Sequence, residues 1–358
     1  MKIYSDSFRK WFRIMEVLSD SKDPFRECAY FNFLDSYIYF NSAEGIGRFK
    51  FNFEKEGDEN IPNFFIPISK LISIINQYDE VNLNDSFVFS NGKDKYKVAT
   101  LIDDEQIDVS IFENVYDNEL EFSKEQLEKI SKALSFVNKD DATAFQAVFI
   151  EDAHIVGMVK KTPVYEAKFD SSENAVIPYF TAKMLLQIGN GESCTFCTNR
   201  DDTNSQKIIS DDKELEVIVS CNSEIEFPNI HSDSVVQSYT HNTPLKVDSS
   251  IFAKALDSLK PYYNDVLNAK IKLVLGDDIA IKVEDKTTDI ERHIDYVEIN
   301  DELKEKSYSI SALKVLQALS AMKGKEFIID LPTDENKPIV NFYVDDSEHV
   351  LITRFKED

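Results

Sequence analysis

The chain has 358 residues, 42% of them hydrophobic, with 26 Phe and 15 Tyr. This composition supports two or three domains with cores of their own and excludes a disordered or low-complexity protein. The formal net charge is −25 at pH 7, which would repel nucleic acid if it were spread evenly. No stretch approaches the roughly 20 apolar residues that cross a bilayer, and the N-terminal segment does not have the pattern of a signal peptide.

Four cysteines are present, at positions 28, 194, 197 and 221. Cys194 and Cys197 form a CxxC, which is half of a zinc site or a redox pair in some proteins. No second CxxC or HxxxH follows, and the surrounding segment SCTFCTNR reads as a strand, whose positions i and i+3 point to opposite faces. We therefore expect structural thiols, no metal site, and a reducing, cytoplasmic location.

The first third of the chain predicts a helix over SFRKWFRIMEVLS, followed by the strands YIYFNS and GRFKFNF. A second helix is predicted to open at Pro67 and to run through KLISIIN. The strands VNLN, FVFSNG, YKVATLI and QIDVSIF follow.

The middle third repeats this order. Ser123 is a candidate N-cap, and Gln126 completes a capping box for the helix KEQLEKISKALSFV. AVFIEDAHIVGMV reads as two strands joined at 151–153, and PVYEAKF follows as another. A second helix is predicted from Pro178 to Gly189, and CTFCTNR, QKIIS and LEVIVSC follow as strands.

The last third has the same order again. LKVD introduces the helix SSIFAKALDSLK, and KIKLVLGDDIAIKV reads as a hairpin that turns at Gly276. After the strand RHIDYVEI, a helix is predicted through ALKVLQALSAMKG and is ended by Gly324. EFIIDL, IVNFYV and HVLITRF close the chain as strands.

These landmarks recur at a nearly constant spacing, which predicts an internal repeat. The first helices begin near Ser7, Ser123 and Ser249, and the second helices near Pro67, Pro178 and Ser309. We predict an α+β fold of three repeated units, each with two helices packed on antiparallel sheets. The expected units are 1–118, 119–243 and 244–358. The alternative is three unrelated α+β domains that share an order by chance.

Positive charge is concentrated in the six predicted helices, at 7–22, 67–78, 123–139, 178–189, 249–263 and 309–325. They contain 15 of the 40 Lys and Arg residues but only 5 of the 65 Asp and Glu residues. Solvated faces of amphipathic helices usually mix both signs, and this explanation fails for PYFTAKMLLQIG and SISALKVLQALSAMKGK, which contain no acid. Helices that faced a common space would make it positive inside a negative body, which suits a cavity around a polyanion.

The order of elements, the unit count and the charge pattern resemble the bacterial DNA sliding clamp, the β subunit of DNA polymerase III, or a phage-encoded or divergent relative. The resemblance covers nearly the whole chain. It is most specific in ALKVLQALSAMKGKEFIIDLPTDENKPIVNFYVDDSEHVLITRF, and SEIEFPNIHSDSV resembles the Phe-Pro that follows the second unit's sheet in that family. It implies a processivity factor without cofactor or catalytic residues.

The resemblance also implies the assembly and the partners. Each chain would be an arc of three units, and a head-to-tail homodimer would close a ring with twelve helices around double-stranded DNA. DNA polymerase and clamp loader would dock by short peptide motifs between the second and third units. Carried over by position, the pocket residues are Val164, Tyr165, Pro228, Leu351, Ile352, Thr353 and Phe355. Their mechanism would be apolar anchoring of a peptide.

Two departures from the family pattern concern this pocket. KTPVY stands at 161–165 in place of the family's Asp-Gly-His-Arg-Leu-like stretch, and LITRFKED replaces its Met-rich, Pro-containing C-terminus. We therefore expect a different peptide preference.

Basic residues of the predicted helices are the candidates for contact with DNA. They are Arg9, Lys10, Arg13, Lys22, Lys70, Lys124, Lys129, Lys132, Lys183, Lys254, Lys260, Lys314 and Lys323. Their contacts should be with phosphate and independent of sequence, because a clamp must slide.

Two other classes of function compete with the clamp. An enzyme is disfavoured because the chain has no GxxxxGK[ST], HExxH, GxSxG or GxGxxG motif, and its five histidines are scattered. An acidic adaptor that binds proteins without encircling DNA would be a monomer, and a basic helical lining distinguishes the clamp from it. A trimeric clamp of two-unit chains is disfavoured by the three-unit count.

Overall fold

The structure is a computed structural model. It describes residues 1–18, 27–55, 61–98, 100, 109–137, 146–158, 164–171, 173–199, 205–221, 239–263, 269–284, 289–322, 326–334, 337–344, 347–353 and 355.

Seven α-helices lie within these described residues. They are α1 (Asp6–Arg9), α2 (Phe12–Val17), α3 (Ile68–Ile75), α4 (Lys124–Leu134), α5 (Tyr179–Gly189), α6 (Ser249–Leu259) and α7 (Ala312–Ala321). Short 3₁₀ helices cover Ser110–Glu113, Lys260–Tyr262 and Asp301–Leu303.

Side-chain caps fix the starts of three helices. The predicted capping box is confirmed: the Ser123 N–H donates to Gln126 Oε1 at 2.9 Å, and the Gln126 N–H donates to Ser123 Oγ at 3.4 Å. Asp248 caps α6 by accepting from the backbone N–H groups of residues 250 and 251. Ser311 caps α7.

The first predicted helix is interrupted, which corrects the sequence-based expectation of one continuous helix. At Trp11 the backbone departs from helical geometry (φ −109°, ψ 0°), so the chain forms α1 and α2 instead. Phe8, Trp11 and Phe12, on both sides of the break, are all buried.

The described strands make only antiparallel pairs. In chain order they are β1 (Lys2–Tyr4), β2 (Cys28–Asn32), β3 (Tyr37–Asn41), β4 (Gly45–Lys50), β5 (Phe53–Glu54), β6 (Phe64–Pro67), β7 (Glu80–Leu83), β8 (Val88–Asn91), β9 (Asp94–Lys97), β10 (Asn118–Phe122), β11 (Ala147–Glu151), β12 (His154–Met158) and β13 (Val164–Lys168). They continue as β14 (Ala175–Pro178), β15 (Cys194–Thr198), β16 (Ser205–Ser210), β17 (Leu215–Ser220), β18 (Pro244–Asp248), β19 (Lys270–Leu275), β20 (Ile279–Glu284), β21 (Asp289–Ile294), β22 (Glu298–Ile299), β23 (Ser307–Ser311), β24 (Glu326–Asp330), β25 (Ile339–Tyr343) and β26 (Glu348–Thr353).

The chain divides into two compact units. Unit 1 comprises Met1–Glu128 and Phe180–Ser223. It contains a five-stranded sheet of order β5-β1-β7-β8-β9 and an eight-stranded sheet of order β10-β15-β16-β17-β4-β3-β2-β6. Its core includes an aromatic cluster in which Phe8 lies 5.4 Å from Phe49 and Phe31 stacks on Phe64 at 4.9 Å between ring centroids.

Unit 2 comprises Lys129–Tyr179 and Glu224–Asp358. It contains a nine-stranded sheet of order β14-β11-β12-β13-β26-β25-β24-β18-β22 and a four-stranded sheet of order β21-β20-β19-β23. The end of α4 packs closely on β12, because a Cβ at Gly157 would lie 2.0 Å from the Ala133 carbonyl oxygen. Only glycine allows this approach.

The strand order repeats three times along the chain. The runs β1-β7-β8-β9, β10-β15-β16-β17 and β18-β24-β25-β26 are equivalent, and each first strand leads into a helix (α1, α4 and α6). The runs β6-β2-β3-β4, β14-β11-β12-β13 and β23-β19-β20-β21 are also equivalent, and their first strands lead into α3, α5 and α7. The order of elements thus repeats as the sequence predicts.

Candidate functional site

Five of the predicted DNA-facing side chains are exposed and carry no ion pair among the described residues. They are Arg13 on α2, Lys70 on α3, Lys124 and Lys183 at α4 and α5, and Lys254 on α6. An exposed cation without an internal partner can exchange its counterions for phosphate. Contact of these five side chains with DNA stays a prediction.

Four other predicted contacts are already paired with carboxylates of their own unit. Arg9 donates to Asp79 at 2.9 Å, and Lys10 pairs with Asp212. Lys132 and Lys260 pair with Glu348 at 2.5 Å and with Asp257 at 2.7 Å, respectively. Arg9 also donates to the carbonyl groups of residues 75 and 78, so it holds α1 against the end of α3.

The remaining four differ in their surroundings. Lys129 and Lys314 are half-buried, and burial lowers the pKa of Lys314 below its ordinary value of 10.5. Lys22 and Lys323 lie outside the described residues, so their predicted role stays a prediction.

Two of the predicted pocket residues, Val164 and Leu351, lie side by side on the nine-stranded sheet. They form a cross-strand pair between β13 and β26. Both belong to an apolar cluster with Met158 and Ile339, and the partly buried Tyr239 packs against it. In the described structure Val164 and Leu351 are only 3% and 1% exposed.

Tyr165 and Ile352 do not share that surface, because neighbouring residues of a strand point to opposite faces. Tyr165 is fully buried, its ring stacks on Phe136 at 5.5 Å, and its hydroxyl donates to Glu348 Oε1 at 2.7 Å. Burial, and then the Glu348 carboxylate, raise the pKa of Tyr165 above its ordinary value. Ile352 is 0% exposed, and it lies on the same face because Val350, two residues earlier, is the cross-strand partner of Tyr165. The seven predicted pocket residues therefore do not form one surface.

The end of β26 carries the more accessible members of the set. Thr353 is half-buried, and Phe355 is 40% exposed, with the Lys270 ammonium 5.6 Å from its ring centroid. The Phe355 N–H donates to the Ser309 carbonyl at 2.8 Å, which fixes the backbone at this point. Pro228 and the divergent segment 161–163 lie outside the described residues.

The cysteines are free thiols. Desolvation raises the pKa of Cys194 to about 12 and that of Cys197 to about 11, with smaller contributions from nearby carboxylates. A thiol with so high a pKa is a poor nucleophile and a poor metal ligand at neutral pH. No group of three or more His, Cys, Asp or Glu side chains in the described ranges is placed to hold a metal ion.

The sequence analysis did not identify Trp11 and Gln187 as candidate functional residues. They line a cavity of unit 1 between α2 and α5, together with Arg13 and Lys183. A tryptophan beside cations at the start of the chain was the available signal, but the residues of α5 lie more than 170 positions away.

Among the helices of the described residues, none is long and apolar enough to span a membrane.

Solved structures similar to this chain include bacterial DNA sliding clamps, the β subunits of DNA polymerase III. The chain matches the sliding clamp of Bacillus subtilis with a TM-score of 0.79 and 14% identity, over 100% of this chain and 99% of that one. It matches the β subunit of Thermotoga maritima with a TM-score of 0.79 and 12% identity, at the same coverage. It matches the sliding clamp of Pseudomonas aeruginosa with a TM-score of 0.81 and 11% identity, also at this coverage. The predicted α+β clamp fold is confirmed.

No protein-family profile matches the chain, and a search of the curated proteins found no match.

Proposed function

We propose that the chain is a DNA sliding clamp, a processivity factor that encircles duplex DNA and tethers a polymerase, and that it is not an enzyme. The observation that carries the proposal is the full-length clamp fold combined with exposed, unpaired cations on its helices. In a chain with a net charge of −25, these exposed cations are the groups best suited to contact phosphate. Such a protein would act on DNA in the cytoplasm, with the nucleoid.

The repeated strand order supports three clamp units, with the proposed limits 1–118, 119–243 and 244–358. The last unit's first strand starts at Pro244, and β10 starts at Asn118, at the first proposed boundary. Two chains joined head to tail would supply six units and close a ring.

Two edge strands are suited to this head-to-tail contact. Within the described residues β9 pairs only with β8, and β21 pairs only with β20. Lys95 and Lys97 alternate along β9, while Asp289 and Glu291 alternate along β21, and all four are exposed. Antiparallel addition of one edge to the other would satisfy the open backbone groups, and the opposite charges would disfavour pairing of like edges.

The charge complementarity of these edges can be tested by light scattering. Replacement of Lys95 and Lys97 by Glu should convert a dimer of twice 41.1 kDa into a monomer. The additional change of Asp289 and Glu291 to Lys should restore it, because the charges are again opposite. Failure of this second step would remove the proposed edges from the interface.

The DNA contacts would be made with phosphates by the exposed cations Arg13, Lys70, Lys124, Lys183 and Lys254. Such contacts are independent of sequence and screened by salt, which permits sliding. Lys10, Lys132 and Lys260 would contribute less, since each already neutralises a carboxylate.

Polymerase and clamp loader would dock by short peptide motifs on the face of the nine-stranded sheet that carries Val164 and Leu351. Thr353, Phe355 and Pro228 would extend this surface. Tyr165 and Ile352 would support it from the opposite face, as core residues. The exposed ring of Phe355 is the natural anchor for an apolar peptide side chain.

Topological retention tests the function directly. The protein should be loaded onto nicked circular DNA by a clamp loader, separated from free protein, and then followed after the circle is cut. A clamp stays on the circle and slides off the linear molecule. An acidic adaptor, the second candidate, would be lost equally from both, and that result would refute the proposal.

A further inference from the structure

We infer that the cavity between α2 and α5 of unit 1 is a seat for a single phosphate group of the DNA backbone. The inference rests on the proposed clamp function and deepens it. The proposed function requires only positive charge on the helices, whereas this inference assigns a defined site, with walls, hydrogen-bond donors and a fixed position, to one cavity. Successive phosphates of a moving strand would occupy the seat in turn.

The cavity has a volume of about 400 Å³ and is lined on one side by α2 and its preceding turn, and on the other by α5. Lys10, Arg13 and Lys183 contribute three cations to its walls. Arg13 and Lys183 are exposed, and neither has a hydrogen-bond or ion-pair partner among the described residues. Two uncompensated cations therefore face one concave space, although residues 13 and 183 are far apart in sequence.

Two polar atoms of the lining residues are buried without partners. Trp11 is 2% exposed, and its Nε1–H has no acceptor among the described residues. Gln187 Oε1 is likewise buried without a donor. A buried donor without an acceptor is unfavourable, so a shift of the Trp11 side chain that brought its N–H to an acceptor in the cavity would be compensated.

The third cation is held in place by its neighbours. Lys10 pairs with Asp212, and its ammonium lies 4.6 Å from the Trp11 ring centroid. Asp212 accepts from Ser210 Oγ at 2.6 Å and from the Glu214 N–H at 3.1 Å. Desolvation opposes ionisation of Asp212, but the hydrogen bonds from Lys10 and Ser210 bring its pKa below the ordinary value. This anchored pair fixes one wall of the cavity.

A phosphate diester fits this set of groups. It carries one negative charge and accepts several hydrogen bonds, and an arginine fork matches two of its oxygens. The Trp11 ring is covered, so it cannot stack on a base, and this favours the phosphate over the nucleobase.

The sole tryptophan of the chain lines the cavity, so its fluorescence reports occupancy without any assay of activity. A short DNA duplex should be titrated into the full-length protein at low salt, with selective excitation of the indole. Binding is followed in parallel by the polarisation of labelled duplex. The expected result is a saturable change of Trp11 emission that coincides with the polarisation curve.

Charge-removing variants locate the signal. In Arg13→Gln and Lys183→Gln the emission change should be lost or reduced several-fold, and duplex affinity should fall. Lys70→Gln is the matched control, since Lys70 is an exposed, unpaired cation of unit 1 on α3, away from the cavity. It should weaken binding but keep the emission change. All three positions are exposed, so unfolding temperatures should stay unchanged.

A double-mutant cycle tests whether one phosphate is shared. The losses for Arg13 and Lys183 should be non-additive, while those for Arg13 and Lys70 should add. Additivity in both cycles would overturn the seat and leave a diffuse field. The same conclusion would follow from duplex binding without a change of Trp11 emission.

Competing ligands are separated in the same experiment. Inorganic phosphate distinguishes a free anion from a DNA strand, and a response to it but not to duplex would overturn the assignment to DNA. A polyglutamate peptide of equal charge tests carboxylates, and an equal response would overturn the assignment to phosphate. Failure of the clamp proposal would appear differently, as equal loss from circular and linear DNA in the retention experiment while the emission signal persists.

Discussion

Replacement of Tyr165 by Phe separates a core role for this residue from a role in partner binding. The Tyr165 hydroxyl donates to Glu348 Oε1 at 2.7 Å, and Lys132 Nζ lies 2.5 Å from the same oxygen. Glu348 is 9% exposed, so the carboxylate has little access to water. The variant removes one donor from a buried charge and leaves the ring in place against Phe136.

The expected cost follows from these contacts. A hydrogen bond to a charged group contributes about 1.5–3 kcal/mol, and the remaining Lys132 partner keeps the carboxylate from being orphaned. We therefore expect a loss of about 2 kcal/mol. For a unit of about 190 residues, each 1 kcal/mol lowers the unfolding temperature by about 2–4 °C. The transition of unit 2 should fall by about 4–8 °C.

Calorimetry is the suitable assay, since it can resolve two units that unfold separately. Tyr262→Phe is the control, because this tyrosine of unit 2 is 41% exposed and should leave the transition unchanged. Polymerase stimulation, measured well below the transition, should be the same in Tyr165→Phe and in the parent. An unchanged unfolding temperature combined with lost stimulation would refute the core assignment and return Tyr165 to the pocket.

Three further changes have defined outcomes. Gly157→Ala should destabilise unit 2 by about 3 kcal/mol or more in denaturant unfolding, since its Cβ would meet the Ala133 backbone. Gly276→Ala should be nearly neutral, because the nearest atom to its Cβ would be the Asp278 carbonyl oxygen at 4.0 Å. Hydrogen bonds to Glu291 and then to Asp278 raise the pKa of His293 above 6.5. The contribution of His293 to stability should therefore be complete below about pH 6.5 and be lost as the pH rises through the raised pKa. An NMR titration of His293 with a midpoint at or below 6.5 would contradict this. Phe355→Ala should abolish polymerase stimulation while light scattering still gives a dimer, and retained stimulation would show that the exposed ring is not the anchor.

Local signals in the sequence predicted most of the elements. The capping box at Ser123 and the turn at Gly276 depend on residues within a few positions of each other, and both form as expected. The repeat was also readable, because two helix starts recur in the same order. The interruption at Trp11 was not, since the hydrophobic periodicity of the segment does not show where the backbone leaves helical geometry.

The sequence could not show, for a specific physical reason, that Tyr165 and Ile352 lie on the opposite face of the sheet from Val164 and Leu351. Strand β13 is buried on both faces over Val164–Ala167, so its hydrophobic pattern does not alternate. Without alternation, the sequence contains no information on which neighbour faces the sheet's helix side. Only the pairing register of β13 with β26 shows which side of the sheet each residue faces.

The sequence also did not show which cations of the helices are paired with carboxylates. Lys10 and Asp212 are separated by 202 positions, and Lys132 and Glu348 by 216. Charge counting therefore predicted the surplus on the helices but could not tell paired cations from free ones. The cavity beside Trp11 depends on the same kind of long-range proximity.

Electron micrographs of the purified protein test most directly whether two chains close around an open channel. We expect particles of twice the chain mass that show an annulus with a central hole wide enough for a duplex. Solid or extended particles, or single chains at micromolar concentration, would contradict the account.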